Sequence, residues 1–314
     1  MTDTALAPVP EFPRRLVYLG TPEMAVPPLE ALVRNGFEVA LVVTGEDKRR
    51  GRGSTVSPCP VKRAALDLGC VVSHRVEDVV SVGADLGVVV AFGRLIRRPV
   101  LEQLAMVNIH FSLLPRWRGA APVERALLAG DTVTGTCLMQ LEEGLDTGPV
   151  FDTVQIPIRP RATADELRHE LVEAGTEQLL RCLSAGLRNA APQVGEPTYA
   201  AKLGSGDLHI SWSDPVDAID RQIRVGAAWT EFRGRRMRIC AAAPSGETRS
   251  GLAPGQLVGS SVVCGGGALL DLDTVQPEGK GPMSAISWRN GVRIAPDESF
   301  GTSAPDEAGS ERRG

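Results

Sequence analysis

The six cysteines form no Cys-x-x-Cys pair and have no histidine-rich neighbourhood, with only four histidines in the chain. That spacing indicates neither a zinc site nor a disulfide framework, so buried, reduced thiols are expected. Long apolar runs are missing too, since none approaches the roughly 20 residues that a membrane span needs. The segment from Met1 to Pro13 holds Asp3, Glu11 and three prolines where a signal peptide would need a charged start and an apolar core. No membrane partner is expected, and the cytoplasm is the consistent compartment. An excess of one charge sign is also absent: 34 Lys and Arg stand against 38 Asp and Glu, a net charge of -4. Any nucleic-acid surface must therefore be a local basic patch rather than a global field. The first apolar run ends Gly20-Thr-Pro-Glu23 without a GxGxxG, which gives a dinucleotide site little support.

What is present fits an ordinary globular chain. At 314 residues, with 43% hydrophobic and 23% charged residues, there is room for two domains with a core in each. From Arg15 to Asp152 short apolar runs alternate with helical patterns, the mark of βαβ units and a doubly wound, mostly parallel α/β sheet. Leu16–Leu19, Val39–Val43 and Gly87–Ala91 read as strands buried on both faces, followed by Val107–Ile109 and Gly135–Leu141. Pro60 to Leu68 reads as a helix with proline in its first turn and Gly69 as its stop. Thr163 with Glu166 makes a capping box ahead of a long helix to about Leu187. These elements define a domain over residues 14–189. Residues 190–206, with Pro192, Gly195 and Pro197, read as a linker. Residues 207–300 carry short strands between glycines and prolines, at Met237–Ala242, Gly255–Val258, Ser261–Cys264 and Ala268–Val275, which suggests a smaller β-barrel of oligonucleotide-binding type. Residues 301–314 lack large apolar side chains and are expected to be disordered.

The chemistry concentrates in Asn108-Ile-His110-Phe-Ser-Leu-Leu-Pro-Arg-Trp-Arg-Gly-Ala-Ala-Pro122 and in Gly144-Leu-Asp-Thr-Gly148. Asn108 and His110, two apart at the end of an expected strand, project to the same side of the sheet. Ligands of open α/β sheets bind beyond the carboxyl ends of the strands. An amide there can donate to a developing oxyanion while an imidazole moves a proton, as acyl transfer requires. Taken singly, Asn-x-His also fits a core histidine, and Asp-Thr-Gly an ordinary turn.

Together these segments, with Gly130-Asp131 and Thr134-Gly135 between them, resemble the folate-dependent formyltransferase family over roughly Arg15 to Ile294. The resemblance implies a catalytic trio of Asn108, His110 and Asp146, with Asp146 setting the charge of His110 and helping to take a proton from the acceptor amine. It implies that Ser112, Leu113, Leu114 and Pro115 lie against the folate, that 10-formyltetrahydrofolate is the donor, and that no metal takes part. The run from Arg116 to Pro122 is closest to the tRNA-acting members. The implied acceptor is thus the α-amine of methionine on initiator tRNA, giving N-formylmethionyl-tRNA for translation initiation. A sugar-nucleotide or ribonucleotide acceptor with the same trio is the main alternative.

The basic, glycine-rich segment Gly45-Glu-Asp-Lys-Arg-Arg-Gly-Arg-Gly53 is suited to contacting phosphates. By the resemblance, Lys48, Arg49, Arg50 and Arg52 would reach the tRNA, with Arg49 replacing a proline usual in such loops. Tyr199–Leu203, Ile210–Trp212 and Gln276–Met283 resemble the family's tRNA-binding barrel, whereas Val225–Trp229 departs from it. Arg233, Arg235, Arg236 and Arg238 cluster at an expected turn, as phosphate contacts or as exposed strand ends. A monomer is expected.

Overall fold

The computed structural model describes residues 5–49, 56–295 and 298–301. The chain divides into two compact units. The first comprises residues up to 126, 131–159 and 165–202, and the second 127–130, 160–164 and the residues from 203 onward. The expected disordered tail lies, past Gly301, outside the described residues.

In the first unit seven strands form one sheet: β1 (Arg15–Gly20), β2 (Glu38–Val43), β3 (Val72–Ser73), β4 (Leu86–Val90), β5 (Met106–His110), β6 (Val133–Gln140) and β7 (Val150–Pro157), in the order β7-β6-β5-β4-β1-β2-β3. The five strands from β3 to β5 across the sheet are parallel, and β6 and β7 add antiparallel strands at one side. The chain runs outward from β1 to β3 and then returns to the other side of β1 with β4. The strand order therefore reverses between β1 and β4, the place where α/β sheets open a crevice for ligands. Burial explains the apolar runs: β4 and β5 are buried at every position, and β1 at all but its first. The edge strand β7 instead alternates exposed and half-buried residues, as a strand with one wet face does. The longer helices that run in or into this unit are α1 (Val26–Arg34), α2 (Pro60–Asp67), α3 (Pro122–Ala129) and α4 (Ala164–Ala185), with a single helical turn at Arg98–Leu101. Gly175 lets α4 lie directly on the site-bearing strand, because a Cβ there would stand 2.8 Å from Ile109 Cγ2.

Within residues 190–202 the backbone is partly paired with the first unit. Ala191 and Val150 exchange backbone hydrogen bonds of 2.8 and 2.9 Å, and Tyr199–Ala200 pairs in parallel with Arg118–Gly119. Proline and glycine keep regular structure there short, yet Ala191, Thr198 and Ala200 still bond through their backbone to the first unit.

The second unit contains α5 (Val216–Val225), β8 (Trp229–Phe232), β9 (Arg235–Thr248), β10 (Leu257–Val258), β11 (Ser261–Val263), β12 (Ala268–Pro277), β13 (Met283–Ser284) and α6 (Ala285–Val292). Its antiparallel sheet runs β8-β9-β12-β11-β10, with β13 also on β12. Register shifts along the β9–β12 pair bend these long strands. Ile219 and Ile223 of α5 pack with Trp212, Phe232, Trp288 and Phe300 in its core. Trp212 and Trp288 both stack on Phe300, at centroid distances of 5.4 and 5.7 Å. Neither α5 nor β8 was anticipated, although Pro215 and Gly226 bracket the helix and Val216, Ile219 and Ile223 mark one face of it. Burial pushes the Cys264 thiol up to about 12, as for an inert core cysteine.

Candidate active site

Strand β5 ends at the sheet's carboxyl edge, with Asn108 9% and His110 5% exposed, and both line one cavity of about 580 Å³. That volume suits a small molecule of cofactor size. The side-chain amide of Asn108 makes no hydrogen bond to any described residue, so its donor and acceptor remain available in the cavity.

Asp146 comes from the β6–β7 loop and has a φ of 50°. The loop can fold back onto β6 because of Gly148, where a Cβ would lie 2.0 Å from the Gln140 carbonyl oxygen. Gln193 Nε2 ties this loop down, donating to the carbonyls of Asp146 (2.8 Å) and Gly148 (2.9 Å). Asp146 Oδ2 accepts from the Gly119 amide at 2.7 Å and lies 3.6 Å from His110 Nδ1. The three residues singled out in sequence are thus brought together at one end of the sheet. On its other edge, His110 Nε2 donates to the Trp117 carbonyl at 2.9 Å, because a carbonyl can only accept. Nδ1 is left facing the carboxylate, and it attracts that group when it also carries a proton. The arrangement is an uncommitted amide beside an imidazole that is oriented on both sides, in a partly apolar cavity.

Ser112, Leu113, Leu114 and Pro115 do not line this cavity. Ser112 is fully buried and donates to the Arg116 carbonyl (2.6 Å), Leu114 N donates to Cys137 Sγ (3.4 Å), and Pro115 O accepts from Thr198 N (3.2 Å). Locally they build the turn that carries Trp117. The walls come from Leu145 of the Gly144–Gly148 segment and from residues outside the sequence motifs, among them Phe92, Leu95 and Ile96 after β4 and Leu141 after β6. Ala91-Phe-Gly-Arg-Leu-Ile96 follows the carboxyl end of a buried strand, so the crevice rule that drew attention to β5 covered it equally. An ion pair, Arg168 Nη2 to Glu124 Oε1 at 2.6 Å, also borders the cavity. Among the described residues, no three His, Cys, Asp or Glu side chains gather as metal ligands, and no helix is long and apolar enough to cross a membrane.

The basic segment is partly described. Lys48 and Arg49 form a short strand paired with Ser57 and Val56, while Arg50 and Arg52 lie outside the described residues. At its base Asp47 Oδ2 accepts from Lys62 Nζ at 2.7 Å. In the second unit Arg233 is engaged by Glu298, whose carboxyl it holds below the usual range. Arg236 lies 4.3 Å above the Trp229 ring.

A mostly parallel sheet with a polar trio at its carboxyl edge places the site where α/β enzymes carry theirs. The family model described as formyl transferase matches residues 14–183, and the model for the formyl transferase C-terminal domain matches residues 202–293. The chain belongs to the formyl transferase family. It is 43% identical to the methionyl-tRNA formyltransferase of Clavibacter michiganensis subsp. michiganensis, covering 88% of this chain and 97% of that protein. It is 40% identical to the methionyl-tRNA formyltransferase of Arthrobacter sp. (strain FB24), covering 88% and 96%. Among solved structures, HypX from Aquifex aeolicus in complex with tetrahydrofolic acid shares the fold, with a TM-score of 0.62 at 17% identity. That match covers 88% of this chain and 47% of HypX, so the chain spans about half the length of that protein.

Proposed function

We propose that this chain transfers the formyl group of 10-formyltetrahydrofolate to the α-amine of methionine on initiator tRNA, yielding N-formylmethionyl-tRNA in the cytoplasm, and that it does so as a monomer. One observation carries the reading: His110 and Asp146, from separate elements, meet at 3.6 Å beside Asn108 in a cavity sized for a small molecule. Family membership and relatives named methionyl-tRNA formyltransferase support the choice of acceptor. The apolar walls suit the flat rings of a folate, and the donor supplies a formyl carbon already carried on a nitrogen leaving group.

The roles of the residues follow from their hydrogen-bonding capacity. As the amine attacks the formyl carbon, the carbonyl oxygen gains charge, and the Asn108 amide and His110 stabilise it as donors. Preorganised donors of this kind contribute about a hundredfold or more each. Asp146 orients the imidazole and helps to take up the proton that the amine must lose, directly or through water. The tetrahedral centre then collapses, the bond from the formyl carbon to the folate nitrogen breaks, and that nitrogen leaves carrying a proton passed on from the amine. Lys48, Arg49, Arg50 and Arg52 meet tRNA phosphates, an attraction that added salt weakens. Residues 14–189 form the catalytic domain and 207–300 the tRNA-binding domain.

The test is incubation with 10-formyltetrahydrofolate and methionine-charged initiator tRNA, beside charged elongator tRNA. N-formylmethionine formed on the initiator species supports the proposal. Formylation of a sugar nucleotide or ribonucleotide in its place, or none at all, overturns it.

A further inference from the structure

Trp117 has a φ of 63°, a left-handed conformation that a bulky side chain keeps only where surrounding contacts over-determine it. Those contacts are present. Its backbone N–H donates to Thr198 Oγ1 at 2.9 Å, and its indole Nε1 donates to Asp131 Oδ2 at 2.8 Å. Asp131 is gripped by Arg116 through two bonds, Nε to Oδ2 at 2.9 Å and Nη2 to Oδ1 at 2.6 Å. The Arg116 guanidinium lies 4.4 Å above the Trp117 ring, which closes the group. The outcome of this bracing falls on the catalytic pair. The Trp117 carbonyl meets His110 Nε2, and two residues later the Gly119 amide meets Asp146 Oδ2. One turn therefore touches both members of the pair, and Asp131, which does not line the cavity, pins that turn.

We infer that Asp131 is a positioning residue: through the Trp117 indole it holds the 117–119 turn so that the Trp117 carbonyl keeps a proton on Nε2 of His110 and leaves Nδ1 for Asp146 and the reacting groups. The inference rests on the proposed catalytic role of His110 and adds the device that selects which of its nitrogens works. Which ring nitrogen of a catalytic histidine carries the proton is set by the partner of the other nitrogen, so loosening that partner misdirects the ring. The hydrogen bond from Arg116 to Asp131 raises the Arg116 pKa above that of an ordinary arginine.

Asp131→Ala, Asp131→Asn and Trp117→Phe test it in the full-length protein. Asp131→Ala and Trp117→Phe should each lower kcat by about 10- to 100-fold, with KM for both substrates within about threefold of wild type. Asp131→Asn, whose amide oxygen still accepts from the indole, should recover to within about fivefold of wild type, since it replaces a charged acceptor by a neutral one. Nitrogen NMR of histidine-labelled protein, with His110 assigned by its loss in His110→Gln, reads the ring directly and without substrates. Wild type should show a protonated Nε2, and Asp131→Ala a shift toward the other tautomer. A folded Asp131→Ala with kcat within twofold of wild type overturns the inference, and so does a fall in kcat with the Nε2 signal unmoved. If Asp131→Ala does not fold, Trp117→Phe decides by the same two outcomes. An NMR response in a wild-type protein that forms no N-formylmethionine would sink the formyl-transfer reading and leave the latch standing.

Discussion

Both units bury polar side chains, but they treat them differently. In the second unit Asp220 is held by Arg161 at 2.9 Å and Arg224 at 2.8 Å, and Thr230 accepts from the Trp212 indole at 3.0 Å. In the first unit Gln178 likewise accepts from the Thr136 hydroxyl at 2.7 Å, yet the Asn108 amide finds no described partner and opens into the cavity. Burying a polar group without a partner costs about 1–3 kcal/mol. Where the protein supplies the partner, the group serves the architecture. Where a concave wall leaves it open, a ligand supplies the partner and the group serves the chemistry. Thr134 marks the limit of the rule, because its hydroxyl is buried without a partner but does not border the cavity.

That contrast can be broken at several points. The largest effect should come from Asn108→Ala or His110→Ala, with turnover down by about a hundredfold or more and the thermal midpoint nearly unchanged. Near-normal turnover in both would remove the functional side of the contrast. Next, Trp288→Ala, which takes a ring from the small aromatic core of the second unit, should cost about 3–5 kcal/mol in denaturant unfolding. A loss under 1 kcal/mol would mean that this core does not carry the unit. Asp220→Asn should cost about 3 kcal/mol, because it leaves the largely buried Arg224 without its counter-charge. Unchanged stability with a gain in turnover would recast Asp220 as functional.

The smallest effect should come from Asp85, an exposed carboxylate that accepts from the backbone amides of Arg14 and Arg15 at 2.8 Å. Those two bonds, with the Arg15 charge nearby, hold its carboxyl below the usual range. A group whose folded value is depressed contributes its stabilisation above the unfolded value and loses it as the pH falls through the folded one. Unfolding followed between neutral and acid pH should therefore show a slightly weaker acid dependence in Asp85→Asn. An identical dependence would mean that the bonds contribute nothing net.

Much of the first unit was legible because parallel strands buried on both faces leave continuous Val and Leu runs, as in β1, β4 and β5, and a long helix shows its caps and spacing, as in α4. The edge strand β7 and the two-residue β3 were missed, since one carries no full apolar face and the other is too short to have a period. In the second unit the β9, β11 and β12 strands were visible, with β9 and β12 longer than the apolar patterns suggested. The helix α5 was hidden by a charged face. In the site, the polar trio was legible from residue type and from resemblance to a family. The turn that Ser112 to Pro115 build was not, because a motif shows which residues recur together and not the hydrogen bonds that fix them.

Composition and periodicity by themselves settled the two-domain organisation and the buried parallel strands, since those depend on local propensity and on the need to bury apolar faces, while the candidates for the chemistry came from motif and resemblance. Folding decided the rest. The meeting of His110 with Asp146, the enlistment of Gln193 and Thr198 from an apparent linker, and the apolar walls supplied by the loops after β4 and β6 all depend on contacts between segments far apart in the chain. Such contacts leave no periodic mark, because the hydrogen bonds and close approaches that make them exist only after the sheet has set the distances.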